Sequence, residues 1–445
     1  MNPDVRAIAR QRGEPGFDEA VLATSFGEED PGIRPHALVK ARSADDVSQA
    51  VLWARDRNWR VACCSGGHAW SQNHIRDSGL LIDLSALDEI AIDPAGRSAV
   101  VGPGCISGDL DAALSPHGLF FPVAHAFTVG MGGFLLQGGF GWNSRMVGLG
   151  CDNVTGADVV LADGTLIHAS RSQNEDVFWA LRGSGTGFFG IVTKFYLALH
   201  ERPGFTGIKM QVFRLKHLEK VIRWAHEIGP QISSQVEFQI VVNRKAFGIF
   251  SHGVEVVTPV FAESRAEAKE LVAFIDKGPL RPAASLTLPL IGAPLGNIMK
   301  VAEKVIFPTG TRWHADNVWL DGPVEQVIPV LQETAANQPG APSHILWLNW
   351  NPAPGTRDAM AFSIEARTYL ALYGGLRGKK WQPSDRDWAT KAAEALMLHS
   401  AGSQLADENL RRRPARVMSE SNLARLETLR AKYDPARRFF SFGGN

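Results

Sequence analysis

The stretch of this chain best equipped for chemistry is VACCSGGHAW, Val61 to Trp70. Its apolar start reads as a short strand to Cys64, and Ser65, Gly66 and Gly67 break that strand into a turn that presents His68. Paired glycines let the backbone bend sharply and lie close against a flat or charged ligand. A histidine just past such a turn points at whatever the turn cradles, although these ten residues alone also read as a surface loop. A second stretch, Gly130 to Gly141, carries six glycines in twelve residues. Glycine density of this kind can mean disorder, but Val129, Met131, Phe134, Leu135 and Leu136 are buried-type residues that a disordered linker does not carry. An ordered loop around an extended cofactor fits better, because bare N–H groups can reach phosphate or ring oxygens there. GSGTGFFG, before the apolar strand that starts near Gly190, is a third such turn. The four cysteines (Cys63, Cys64, Cys105, Cys151) show neither metal nor redox spacing and read as reduced, buried thiols; no metal site is expected.

The elements that position these residues follow from the totals and the local patterns. A chain of 445 residues exceeds what one hydrophobic core normally serves. With 46 basic and 46 acidic residues the net charge is zero, so nothing global attracts nucleic acid or an anionic membrane. The amino-terminal segment lacks a signal-type apolar core and no run approaches a membrane span, so a cytoplasmic enzyme is the expectation.

Residues 36–64 carry a β-α-β pattern, with Ser43, Asp45 and Asp46 as helix-start chemistry. No glycine fingerprint follows the first strand, which disfavours a nicotinamide-binding fold. Short alternating strands follow to Val101, then a helix over 107–117, and Asp163-Gly164 marks a hairpin. Beyond Pro203, mixed-polarity strands alternate with helices over 215–228, 264–277 and 324–336, which implies a sheet with helices on one face. In HILWLNW, period-two alternation puts Trp347 and Asn349 on one face and His344, Leu346, Leu348 and Trp350 on the other.

Taken together and in order, RPHALVKARSADDVSQAV, SGGHAW, TVGMGGFLLQGGFGWNSRMVGLGCDNV, VVLADG, FWALRGSGTGFFGIVT and YDPARRFF resemble the berberine-bridge-enzyme-like branch of the vanillyl-alcohol oxidase, or PCMH-type, flavoproteins. The resemblance implies an α+β fold. A PCMH-type FAD-binding domain of two α/β subdomains (1–203) would be followed by a substrate domain of antiparallel sheet with helices on one face (204–400). Residues 401–445 would then return to the FAD-binding part. It also implies FAD attached covalently through His68. Ser65, Gly66, Gly67 and Ser71 would hold the pyrophosphate, and Val129, Gly130, Gly133, Gly138, Gly139 and Gly141 would line the dinucleotide. Asp152, Asn153, Val154, Gly187, Gly190 and Val192 would complete the adenine and ribose end, and Asn445 would reach the ring system. Many relatives add a second link through a cysteine where this chain has Ala126, so a single link is expected here.

By the same resemblance, the chemistry is hydride transfer from a substrate carbon to flavin N5, assisted by a base. The tyrosine-bearing motif that relatives place before the last helix is missing from HSAGSQLADENL. The base must then come from elsewhere, and Tyr369, Tyr373, His314 and His125 are the candidates. Core packing for one of the tyrosines, or a hydrogen-bonded sheet histidine at His314, are the competing readings. A β-branched residue at Val129 implies access for molecular oxygen. The expected activity is oxidation of a small-to-medium aromatic or apolar alcohol. The alternatives are an amine or sugar oxidase, a dehydrogenase with another acceptor, and a flavin-binding protein with decayed activity. Oligomeric state is left open.

Overall fold

Ser43 accepts a hydrogen bond from the Asp46 amide (3.1 Å) and starts the helix Ala44–Asp56, whose Val47, Ala50, Val51 and Ala54 form one fully buried stripe. In this computed structural model, which describes residues 5–248, 251–352, 359–378 and 382–442, that stripe packs on a four-stranded sheet. Its spatial order is Ala9–Gln11, Ala37–Lys40, Leu80–Asp83, Val61–Cys64, and the last three strands are parallel. The same core takes in Val160 and Ile191 of a second, antiparallel sheet. That sheet runs Ile90–Asp93, Ser98–Val101, Gly190–Ala198, Val154–Leu161, Leu166–Ser170. The Asp163-Gly164 turn joins its last two strands, as the sequence implies.

Strands between Phe205 and Gly402 build a nine-stranded antiparallel sheet. At its centre Gln239–Asn243, His344–Asn349, Thr368–Leu376 and Arg312–Leu320 lie side by side. Alternation gives this sheet two unlike faces. Ile240, Val242, Ile345, Trp347, Leu370, Leu372 and Val318 pack beneath the helices Leu218–Ile228, Val324–Ala336 and Pro383–Ala395. Trp313, Ala315, Trp319, Leu346, Leu348, Tyr369, Ala371 and Tyr373 line the opposite face. That face looks toward the amino-terminal half of the chain, and it answers the question HILWLNW leaves open: His344, Leu346 and Leu348 line the cavity between them.

The chain end returns to its start. Helix Glu420–Tyr433 is capped by Ser419, and its buried Arg430 donates to the carbonyls of Gly187 (2.9 Å) and Phe439 (3.0 Å). Beyond it the Val61 amide donates to Arg438 O (2.7 Å) and the Phe440 amide to Val61 O (3.1 Å), so the tail pairs with the strand that leads into the Ser-Gly-Gly turn. The preceding irregular segment is tied down by Arg413. Its guanidinium is buried against the fully buried Asp316 carboxylate (Nε to Oδ2, 2.9 Å) and also reaches Asn317 O and Ser403 Oγ, both at 2.9 Å. Removing one partner of a buried ion pair strands the other charge. Arg413→Met is therefore expected to cost about 3–5 kcal/mol of stability, read as a lowered unfolding midpoint in denaturant.

Candidate active site

The Ser-Gly-Gly turn meets the start of the glycine-rich segment backbone to backbone. A Cβ on Gly66 would sit 2.3 Å from the Gly130 nitrogen, and a Cβ on Gly130 would sit 2.5 Å from the Gly66 nitrogen. Gly67 has φ +65°, and a Cβ there would meet Thr24 O at 2.0 Å. Only glycine meets both demands. The Gly133 amide donates to Ser65 Oγ (3.3 Å), which holds the two loops in register. A cavity opens beside this junction. Ser65, Gly66, Gly67, His68, Val129, Gly130, Gly133, Gly190 and Val192 line one side, and the helix-free face of the nine-stranded sheet lines the other. Bare backbone on one wall and apolar rings on the opposite one suit a flat, extended cofactor with a substrate against its face.

His68 stands between the two walls. Its ring stacks on Phe26 (centroids 4.1 Å apart), and Nε2 lies 2.9 Å from Thr128 Oγ1. Burial lowers its pKa to about 4, outweighing the pull of the Thr128 backbone toward the charged form, so the imidazole is neutral at physiological pH.

Across the cavity, Tyr369 and Tyr373 share one face of their strand and both donate to Oδ2 of Asp407, Tyr373 at 2.9 Å. Trp70 Nε1 donates to the other oxygen at 2.6 Å. Burial raises the Asp407 pKa against the opposing effect of these three donors. Burial, then the Asp407 charge, pushes both phenols well above their ordinary range, so they stay protonated donors. Trp70 packs among Phe307 (5.2 Å), Trp313 (5.6 Å) and Tyr373 (6.0 Å), and His344 stacks on Tyr373 at 4.7 Å. Asp407 belongs to HSAGSQLADENL, the segment singled out in the sequence for lacking a tyrosine. It was missed because it occupies no periodic element.

The other sequence candidates divide. His125 lines the cavity, with Nε2 3.0 Å from Glu237 Oε2 and its ring 4.5 Å from Trp142. His314 does not reach it. On its strand Trp313, Ala315 and Trp319 face the site, so His314 takes the other face, 4.0 Å from Glu29. Burial and the charges of Arg412, Arg386 and Arg312 lower its pKa to about 3. Its candidacy as base is corrected on both grounds.

Several expected cofactor residues serve the protein's own packing and do not line the cavity. Ser71 donates to Glu408 (2.7 Å). Gly138, Gly139 and Gly141 are bare because Phe362, Gly150 and Val123 press on them. Asp152 accepts from the Leu149 amide (2.8 Å), Asn153 donates to Val147 O and Leu149 O, and Val154 is a buried strand residue. Gly187 lies under Phe442, with its carbonyl held by Arg430. Asn445 lies outside the described residues.

Residues 35–170 match the family model of an FAD binding domain. Over its length the chain is 28% identical to an FAD-linked oxidoreductase of Penicillium crustosum, covering 96% of this chain and 94% of that protein. Its fold superposes on 6-hydroxy-D-nicotine oxidase from Arthrobacter nicotinovorans with a TM-score of 0.82 at 21% identity, over 98% and 97% of the two chains. The Physcomitrella patens BBE-like 1 structure gives a TM-score of 0.81 at 18% identity, over 97% and 95%. The matched FAD-binding region contains both glycine loops and His68. A methyl group at Gly66 must push the loops apart. Gly66→Ala should thus lose about 1–3 kcal/mol of stability and most of the flavin that copurifies. Gly340→Ala, where an added Cβ meets nothing within 4 Å, should retain both; unfolding midpoints and flavin absorbance read the pair.

Proposed function

From the FAD binding domain match over residues 35–170, the full-length likeness to an FAD-linked oxidoreductase and the shared fold, we propose that the chain is an FAD-linked oxidoreductase of the berberine-bridge-enzyme-like type that oxidises an aromatic or apolar alcohol of small to medium size and returns the electrons to oxygen. The observation that carries this reading is Asp407, a buried carboxylate whose hydrogen-bond donors among the described side chains are two phenols and an indole, set in an aromatic cavity opposite the glycine loops. When bound, FAD supplies the two-electron acceptor. The residues present suit it. Gly66, Gly67, Gly130 and Gly133 leave backbone bare for the dinucleotide, and His68 is a neutral imidazole at the cavity wall, available as the single covalent anchor. Ala126 lines the same cavity and offers no second thiol.

Trp70, Phe307, Tyr373, Leu346 and Leu348 would clasp an apolar substrate body, burying it from water. The substrate hydroxyl would hydrogen-bond at the Tyr369–Tyr373–Asp407 cluster, and Asp407 would accept its proton as hydride leaves the carbon. A carboxylate whose pKa burial has raised is a stronger base than an exposed one. Tyr369 and Tyr373 keep their own protons and orient the alcohol oxygen. His125, held by Glu237, lines the same cavity and would take up polar substituents. Val129 at the cavity wall supports oxygen as the acceptor.

Anaerobic mixing with a panel of alcohols should bleach the flavin, and readmitted oxygen should restore it rapidly. Asp407→Asn should slow the bleaching about 10²–10⁴-fold without changing flavin content. In the native enzyme the active form is the ionised carboxylate. The bleaching rate should therefore rise with pH through the elevated Asp407 pKa and level off above it, and that limb should vanish in Asp407→Asn. Unchanged bleaching in the variant would remove Asp407 from the mechanism, and slow recovery in oxygen would make the protein a dehydrogenase.

A further inference from the structure

Glu303 sits on the helix Leu295–Ile306, yet both of its carboxylate oxygens are spent on one residue of the FAD-binding region. Oε2 accepts from the Thr128 amide at 3.0 Å and Oε1 from Thr128 Oγ1 at 2.9 Å. Lys300, about one turn earlier, places Nζ 4.7 Å over the Phe127 ring, so the helix grips residues 127 and 128 together. Thr128 Oγ1 is also the partner of His68 Nε2, at 2.9 Å. A threonine hydroxyl has one proton and two lone pairs, and an ionised carboxylate only accepts. With its proton directed at Glu303, Thr128 has nothing but a lone pair to offer the imidazole. His68 must then carry its proton on Nε2, which leaves the lone pair on Nδ1. Among the described residues Nδ1 makes no hydrogen bond, and His68 lines the cavity.

We propose that Glu303, acting through Thr128, fixes this tautomer and so selects Nδ1 of His68 as the atom that bonds the 8α carbon of the flavin. The inference rests on the reading above that His68 is the covalent anchor. As the Nδ1–C bond forms, the Nε2 proton becomes acidic. It passes to Thr128 Oγ1 while the threonine's own proton passes to Glu303, so no positive charge is trapped on the buried ring. Net, one imidazole N–H and one 8α C–H bond are exchanged for the N–C bond. Dioxygen carries off both hydrogens and the electron pair as hydrogen peroxide. Glu303 is a positioning and proton-holding residue for attachment, separate from the Asp407 cluster that would handle substrate.

The test uses the full-length holoprotein. With ¹⁵N-labelled histidine, the flavin peptide released by proteolysis should show its 8α protons coupled to Nδ1. In Glu303→Gln the amide donates to Thr128 Oγ1, whose proton then turns toward Nε2 and reverses the tautomer. Acid-stable flavin should fall about tenfold or more while FAD still copurifies. Thr128→Val should behave alike, and Thr128→Ser should restore attachment. Coupling to Nε2 in the native protein would overturn the proposal, as would native levels of acid-stable flavin in both Glu303→Gln and Thr128→Val. A colourless acid precipitate of native protein, or a yellow one from His68→Ala, would instead sink the anchor reading itself, and the relay with it.

Discussion

The close approach of Gly66 to Gly130 is the constraint on which the rest of the structure depends. It brings two turns from different sheets within backbone contact, one leaving the parallel sheet after Cys64 and one entering the glycine-rich segment. Because neither residue carries a side chain, the two backbones meet directly at the cavity wall. Everything near the junction serves its precision. Ser65 accepts from Gly133, Gly67 tucks under Thr24, and the chain terminus pairs with Val61 to stiffen the strand behind. His68 follows the turn by one residue, so its position is set by the same contact.

The nine-stranded sheet is placed by a different rule. Strict alternation gives it an aliphatic face that the helices cover and an aromatic face that they do not. The uncovered rings are shielded by the FAD-binding half, and the cavity forms where those rings and the glycine wall fail to touch. The two halves are thus complementary in chemistry: a backbone surface that can take a charged, planar ligand, and a ring surface that can take an apolar one.

What the sequence revealed, and what it hid, follows from these two rules. Glycines at a true backbone contact, Gly66, Gly67 and Gly130, stand beside a histidine in an otherwise apolar context, and that combination is legible. Gly138, Gly139 and Gly141 are pressed by protein atoms in the same way but away from the cavity, and composition does not separate the two cases. Tyr369 and Tyr373 are four apart on a strand and must share a face, so their convergence was legible too. The sequence does not give the parity of each strand, which put His314 on the wrong side. Asp407 and Glu303 were hidden for opposite reasons. The first lies in irregular chain that tertiary contacts, the buried Arg413–Asp316 pair among them, hold in place. The second lies on a helix whose docking on Thr128 is a tertiary fact.

Asp316 and Asp407 show why a carboxylate's partner matters more than its burial. Both are buried, and burial raises the pKa of each. Asp316 faces a guanidinium in bidentate contact, which opposes the rise that burial causes and occupies both oxygens. Asp407 is met by two phenols and an indole N–H, all neutral. Hydrogen bonds to a charged group contribute about 1.5–3 kcal/mol each, enough for three of them to offset a desolvation cost of several kcal/mol without a cation. A carboxylate balanced in that way keeps its basicity, because burial outweighs the three donors and the charge of nearby His125, and no guanidinium is bonded to it. If, as proposed, Asp407 takes a proton from a substrate hydroxyl, the phenols would be free to turn to the substrate oxygen that then needs donors. The same three groups that stabilise the anion at rest therefore become available as the charge moves, which a salt-bridged aspartate in that place would not permit.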